Sequence, residues 1–356
     1  MSPAAAQEAL ALLTRCPRYS ATPLRSLADL AAGLGVRQLW VKDEGARLGL
    51  GSFKALGGSY AVIRLFLDEA ARQLRREVKP WELSHAEVRE VGRNMVFTCA
   101  TDGNHGRSVA AAARLVGARA VVFVHAGVPE PRVSAIRQLG ADVRVVPGSY
   151  EDAVSRLIQV ASEEGWQIVS DKSWPGYEDV PRLIAQGYSV ILSEIEAVLD
   201  QPPTHVFVQA GVGGIAATVA VYSAIAYGLQ KPKIIVVEPD RAACLYFSHE
   251  AGRSVLIPHG EPTVMAMLEC YEPSLVAWNV LSRLADAFMT VSETEAVEAA
   301  SRFRQPTGED PCIATSESAA TGLAGLLVAR RSAEICNALD IGAQSRVLLL
   351  NTEGLA

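Results

Sequence analysis

The stretch Met95-Val96-Phe97-Thr98-Cys99-Ala100-Thr101-Asp102-Gly103-Asn104-His105-Gly106-Arg107 decides the fold class. Its first six residues are a short apolar run with β-branched and aromatic members, the pattern of a buried strand. The rest is a turn with two glycines that opens a helical period over residues 106–117. The same unit recurs outward along the chain. Strands are predicted at 120–124, 142–146 and 167–169, with helices at 130–139 and 150–164 between them. Upstream, residues 7–13 read as a short helix and 19–30 as Thr-Pro-Leu followed by a helical pattern. Residues 38–42 read as a strand. Downstream, a helix over 181–199 leads to strands at 205–209, 234–238, 287–291 and 346–350. Helices are expected at 215–227, 293–303 and 318–330. Strands alternating with helices imply parallel pairing through right-handed crossovers. The chain therefore holds two blocks of βα units, and the fold class is α/β. Two stretches break the pattern. Residues 68–94 are polar and charged and read as an inserted helical excursion. Residues 241–284 contain Pro258, Pro262 and Pro273 and little periodicity, as a lid or site wall would.

The 356 residues exceed what one core usually holds, so two lobes are expected. With 49% hydrophobic and 20% charged residues, the chain is neither disordered nor a disulfide-stapled mini-protein. A net charge of −6 disfavours a general nucleic-acid partner. Cys16, Cys99, Cys244, Cys270, Cys312 and Cys336 form no Cys-x-x-Cys pair, so no metal is expected. Cys244 and Cys270 flank the irregular segment and could be close in space, though reduced thiols are the expected state. There is no apolar run of about 20 residues and no basic-then-apolar leader, so no membrane partner is expected and the cytoplasm is the expected compartment.

Several residues that can carry chemistry fall at predicted strand ends. Lys54 follows Gly49-Leu50-Gly51-Ser52-Phe53 and opens a helical pattern. A Walker A loop needs Gly directly before its Lys, and Phe53 stands there. Lys54 is either a solvated surface lysine or an amine whose pKa the helix start lowers, fit to attack a carbonyl. Asp102 is either an N-cap or a ligand-facing carboxylate, and Asn104 either a turn residue or a ligand contact. Gln209-Ala210-Gly211-Val212-Gly213-Gly214 can form a phosphate nest at a helix start. It lacks the full dinucleotide spacing, so a bare phosphate suits it better. Asp171 is either a turn residue or a functional carboxylate past a strand end. Thr352, past the final strand, offers a hydroxyl at the same edge. A nucleophilic Lys beside a phosphate cradle is what pyridoxal 5′-phosphate requires.

With these residues in place, the chain resembles the fold-type II pyridoxal-phosphate enzymes, the tryptophan synthase β-like group, and within them the diaminopropionate ammonia-lyase branch. The resemblance runs in order from about residue 19 to residue 354. It rests on Val41-Lys42-Asp43-Glu44, Gly51-Ser52-Phe53-Lys54-Ala55-Leu56-Gly57-Gly58-Ser59-Tyr60, Thr101-Asp102-Gly103-Asn104-His105-Gly106-Arg107 and Asp171-Lys172-Ser173-Trp174-Pro175-Gly176-Tyr177. Gly211–Gly214, Val237-Glu238-Pro239, Thr263-Val264-Met265-Ala266, Ser316-Glu317-Ser318-Ala319 and Asn351-Thr352-Glu353-Gly354 extend it. The Thr-Asp-Gly-Asn form is the most specific part, because the broader family carries a small or hydroxyl residue where Asp102 stands.

The resemblance implies two open, twisted, mostly parallel sheets flanked by helices. It implies a large cofactor domain over 1–57 and 193–356, a smaller domain over 58–192 inserted into it, and a homodimer. Lys54 would be the Schiff-base lysine, with Phe53 against the cofactor ring and Asn104 on the ring hydroxyl. The amides of Gly211, Val212, Gly213 and Gly214 would hold the phosphate, and Thr352 would face the pyridine nitrogen. Asp102 and Asp171 would take the α-proton from opposite enantiomers of an amino-acid substrate. Thr101, Asp102, Gly103 and His105 would form the substrate loop. The implied reaction is α,β-elimination of 2,3-diaminopropionate to pyruvate and ammonia. The alternatives are a β-eliminating dehydratase of serine or threonine type and a non-catalytic amino-acid-binding homologue. Two departures bear on substrate choice. The chain ends at Ala356, where the family continues through an acidic stretch, and Glu269-Cys270-Tyr271-Glu272-Pro273 differs from the family's Cys-Gly-Glu-Pro.

Overall fold

The computed structural model describes residues 2–101 and 103–355. Among the described residues ten strands lie in two sheets. In chain order they are β1 (Leu24–Ser26), β2 (Gln38–Asp43), β3 (Val96–Ala100), β4 (Arg119–His125), β5 (Asp142–Val146), β6 (Gln167–Ile168), β7 (His205–Gln209), β8 (Lys233–Pro239), β9 (Ala287–Val291) and β10 (Arg346–Asn351). One sheet has the order β1-β2-β10-β7-β8-β9 and the other β5-β4-β3-β6. Every pair is parallel except β1 with β2. Helices flank both sheets, as the alternation required. The central strands β7 and β8 are apolar through Val206–Val208 and Ile234–Val237, as strands covered by helices on both faces require.

The helix Ala333–Leu339 has no counterpart in the sequence reading, and two further features depart from it. The segment expected to run from Thr-Pro-Leu straight into a helix holds β1, an antiparallel edge strand. Three residues are too few to show a period of two, so only pairing with β2 reveals it. The irregular stretch 241–284 contains two helices, Cys244–Glu250 and Leu275–Leu284. The second starts after Pro273 and is apolar on most sides, which hides its period. Between these helices the chain is indeed irregular.

The two sheets are joined by helix-on-helix packing. The Lys54–Leu74 helix crosses the Asp179–Glu196 helix at paired glycines. A Cβ on Gly187 would sit 2.7 Å from the Gly57 Cα, and one on Gly57 would sit 2.8 Å from the Ile184 carbonyl oxygen. Only glycine permits that approach. The close crossing fixes where the first residue of the former helix, Lys54, sits relative to both sheets.

Candidate active site

The carboxyl ends of β3, β6, β7 and β10 converge on one cleft, as expected of open parallel sheets. The cleft encloses about 1040 Å³ of empty space, part of it open to solvent. Among the described residues it is lined by Phe53, Lys54, Thr101, Gly103, Asn104, His105, Asp171, the 211–214 turn and Thr352. These residues are scattered over three hundred positions of sequence and the fold brings them together. Asp102 lies outside the described residues.

Lys54 begins its helix because the preceding segment is pinned to the end of β10. The Phe53 amide donates to the Thr352 carbonyl (2.9 Å), and the Gly354 amide donates to Gly51 (3.1 Å). The ammonium pairs with the Asp171 carboxylate. Burial presses the lysine pKa down, but Asp171 beside it outweighs burial, and the net shift is upward. This corrects the expectation that the helix start lowers it. One partial dipole charge is weaker than a full carboxylate in contact. On Asp171, burial acts upward and the Lys54 charge more than offsets it, so the carboxyl is held well below its ordinary value. Lys54 and Asp171 thus form an ion pair in which each charge shifts the other's pKa in the opposite direction.

The ring of Phe53 lies tilted on that of Tyr188, with centroids 4.8 Å apart. His105 is buried and its Nε2 donates to the Val169 carbonyl at 2.7 Å. A carbonyl only accepts, so Nδ1 carries a lone pair, and burial holds the ring below the ordinary histidine pKa, in its neutral form. Thr101 Oγ1 accepts from the amides of Gly103 (3.0 Å) and Gly106 (3.3 Å). It thereby takes up one free amide in the first turn of the helix Asn104–Val116, and Thr101 also lines the cleft.

Gly211–Gly214 form the turn between β7 and the helix Gly214–Tyr227. Gly213 has φ +96°, which a side chain would strain. A Cβ on Gly214 would meet nothing within 4 Å, so open space lies against this turn. The first amides of a helix have no partners inside it, and here they border that space. Across the cleft, Gln209 Nε2 stands 3.0 Å from Thr352 Oγ1 as donor. The two hydrogens on Nε2 are shared with the Ala319 and Leu350 carbonyls, each at 2.9 Å, and the Thr352 hydroxyl proton has no acceptor among the described residues. Asn104 Nδ2 donates to Glu353, and Glu353 also accepts from Ser316 Oγ. A phosphate at the 211–214 amides, a basic ring nitrogen at Thr352 and an aldehyde at Lys54 all find matching groups. The side chains present thus fit pyridoxal 5′-phosphate.

The cleft also holds Glu269 and Cys270 of the predicted wall segment, and four residues to which sequence reasoning gave no role: Tyr150, Tyr188, Gln209 and Glu353. Glu353 and Gln209 sat inside quoted motifs beside assigned neighbours, so their position was a usable signal. Tyr188 lies mid-helix in an apolar run and carries no such signal. Its Oη is buried without a hydrogen-bond partner among the described residues. Among the described residues no disulfide joins any of the six cysteines. Cys244 and Cys270 both lie against Gly211, the first with Sγ 3.6 Å from its carbonyl oxygen.

No helix among the described residues is long and apolar enough to cross a membrane. Residues 16–353 match the family described as pyridoxal-phosphate dependent enzyme. Diaminopropionate ammonia-lyase of Escherichia coli (strain K12) is 37% identical over 343 residues, covering 94% of this chain and 85% of that one. The Salmonella typhimurium (strain LT2) enzyme of the same name is 36% identical, covering 98% and 88%. The crystal structure of the Escherichia coli enzyme in complex with an aminoacrylate–PLP azomethine reaction intermediate superposes with a TM-score of 0.89 at 36% identity. It covers 99% of this chain and 89% of that one. The chain belongs to the pyridoxal-phosphate dependent enzymes and, within them, to the diaminopropionate ammonia-lyase family.

Proposed function

We propose that the protein is a pyridoxal-phosphate-dependent carbon–nitrogen lyase that eliminates ammonia from 2,3-diaminopropionate, yielding pyruvate and ammonia. The observation that carries this reading is the Lys54–Asp171 ion pair in a cleft that also holds the 211–214 turn and Thr352. When bound, the cofactor supplies an electron sink that acidifies the substrate α-hydrogen.

The chain's own residues do the rest. Lys54 would be the amine that holds the cofactor through its aldehyde. The amides of Gly211, Val212, Gly213 and Gly214 hold the phosphate, and Phe53 packs against the ring. Asn104, steadied by Glu353, meets the ring hydroxyl. Thr352 donates to the pyridine nitrogen as a neutral group, so the ring is left less protonated than an acid would leave it. That favours elimination. Asp171 takes the α-proton from one enantiomer and Asp102 from the other. Thr101, Gly103 and His105 shape the substrate loop. The β-nitrogen leaves with the electron pair of its bond to carbon, and the eliminated product hydrolyses to pyruvate and a second ammonia. The reading carries with it a cytoplasmic homodimer, with residues 58–192 as the smaller lobe.

The test is pyruvate release by purified holoenzyme from each enantiomer of 2,3-diaminopropionate, with D-serine and L-threonine beside them. Release from both diaminopropionate enantiomers is expected. Activity on D-serine or L-threonine alone would overturn the assignment in favour of a dehydratase.

A further inference from the structure

The irregular wall of the cleft carries a carboxylate that the proposed reaction leaves unused. Glu269 lines the cleft and lies between the short turn Ala266–Leu268 and Cys270. Its two oxygens are held apart by two donors. Tyr271 Oη donates to Oε1 at 2.8 Å, and the Thr263 amide donates to Oε2 at 3.3 Å. Both donors are themselves fixed. Thr263 Oγ1 donates to Glu293 Oε1 at 2.6 Å, and the ring of Tyr271 is buried against His259 with centroids 3.8 Å apart. Tyr271 is one of the positions where the chain departs from the Cys-Gly-Glu-Pro pattern of its family.

Glu269 is thus oriented by neutral donors only. Among the described residues no Lys, Arg or His forms an ion pair with it. Among the described residues lining the cleft the one ammonium, Lys54, is paired with Asp171. Each Glu269 oxygen has two lone-pair directions and uses one, so each retains an acceptor site. A partly buried carboxylate with spare lone pairs and no cation favours a cationic ligand.

We infer that Glu269, oriented by Tyr271, is a specificity-determining residue that recognises an ammonium on the substrate's β-carbon. The inference rests on the proposed ammonia-lyase function and adds to it the means by which a diamino acid is told from a hydroxy amino acid. The charge keeps the β-nitrogen in its ammonium form, so that it departs as neutral ammonia when the carbon–nitrogen bond breaks. A hydroxyl in its place leaves the carboxylate with a weaker, neutral donor.

The experiment uses holoenzyme with Glu269→Gln and Tyr271→Phe. Steady-state constants are measured for 2,3-diaminopropionate. Dissociation constants are measured by calorimetry for two amino acids without a β-leaving group, 2,4-diaminobutyrate and 2-aminobutyrate. For Glu269→Gln, KM for diaminopropionate should rise about 10- to 100-fold, as loss of a charged hydrogen bond implies. Binding of 2,4-diaminobutyrate should weaken while that of 2-aminobutyrate stays within about twofold, and the cofactor's visible band should be unchanged. Tyr271→Phe, which keeps the carboxylate but loosens it, should give the same preference in weaker form, about three- to tenfold. Equal weakening for both analogues, or no change for either, overturns the inference. If wild-type holoenzyme releases no pyruvate from diaminopropionate, the ammonia-lyase reading itself fails. The analogue titrations still decide whether Glu269 reads charge.

Discussion

Two lysines twelve positions apart, Lys42 and Lys54, have opposite lives in this fold. Lys42 is at the end of β2 and is 1% exposed. Its ammonium donates to Glu194 Oε2 at 2.5 Å and to the Thr22 carbonyl at 2.6 Å. Arg47 shares the same cage, bonded to Glu44 and Glu194 with no exposure of its side chain. Burial pulls Lys42 below the ordinary lysine pKa, and Glu194 only partly restores it. Lys54 is shifted upward, yet its side chain retains 27% exposure to the cleft. By proton affinity alone Lys42 looks like the nucleophile. Access reverses that ranking. A lysine whose donors are consumed inside a buried network cannot reach a carbonyl. Lys54 has one carboxylate partner, which can accept its proton when it reacts.

The comparison breaks first at Lys54. Lys54→Ala should abolish the visible band near ~410–420 nm expected of a lysine-linked cofactor, and activity with it. An absorbance spectrum after soaking with cofactor reads this, and retention of the band would transfer the role to another lysine. Next come the carboxylates. Asp171→Asn should keep the band but lose activity on one diaminopropionate enantiomer, by about 10²-fold or more for loss of a general base. Asp102→Asn should do the same to the other enantiomer. Equal loss on both from either variant would refute a division of labour.

Lys42→Met should behave as a stability variant. It strips a cation from a buried carboxylate, a loss of about 3–5 kcal/mol. Denaturant unfolding should register that loss while the folded fraction keeps its visible band. Loss of the band with unchanged stability would make Lys42 part of the site.

The smallest effect is the pH dependence of the Lys54–Asp171 pair in the cofactor-free protein. The Asp171 carboxyl is held below its unfolded value of 3.8, so its contribution is present above that pH and fades as pH falls below it. The Lys54 ammonium is raised above 10.5, so its contribution is present below that pH and fades as pH rises beyond it. Melting curves of wild type and Asp171→Asn should therefore be separated between these limits and converge outside them. A gap that does not vary with pH would mean the pair contributes by packing rather than by charge.

The wall offers a further lesson about legibility. Residues 95–169 repeat a simple unit, and the helix Tyr150–Glu164 lies where its period places it. Its Ser149 capping box marks the start within the sequence itself. In residues 241–284 the prolines mask two helices. The contacts that place Glu269 come from Thr263 and Tyr271, whose geometry depends on Glu293 and His259. No period or motif encodes such contacts.

The sequence by itself determined the α/β class, the two strand-and-helix blocks, the family, and a cleft edge bearing Lys54, Asn104, Asp171, the 211–214 turn and Thr352. Those follow from local periodicity and short motifs, which depend on neighbours along the chain. Only the tertiary structure decided that Asp171 sets the charge of Lys54 against the pull of burial and helix dipole. It alone showed Lys42 locked in a buried cage, turned Glu353 into a support for Asn104, and left Glu269 lining the cleft with no ion-pair partner among the described residues. Electrostatics depends on distance and burial, and both are set by segments that meet in space rather than in sequence.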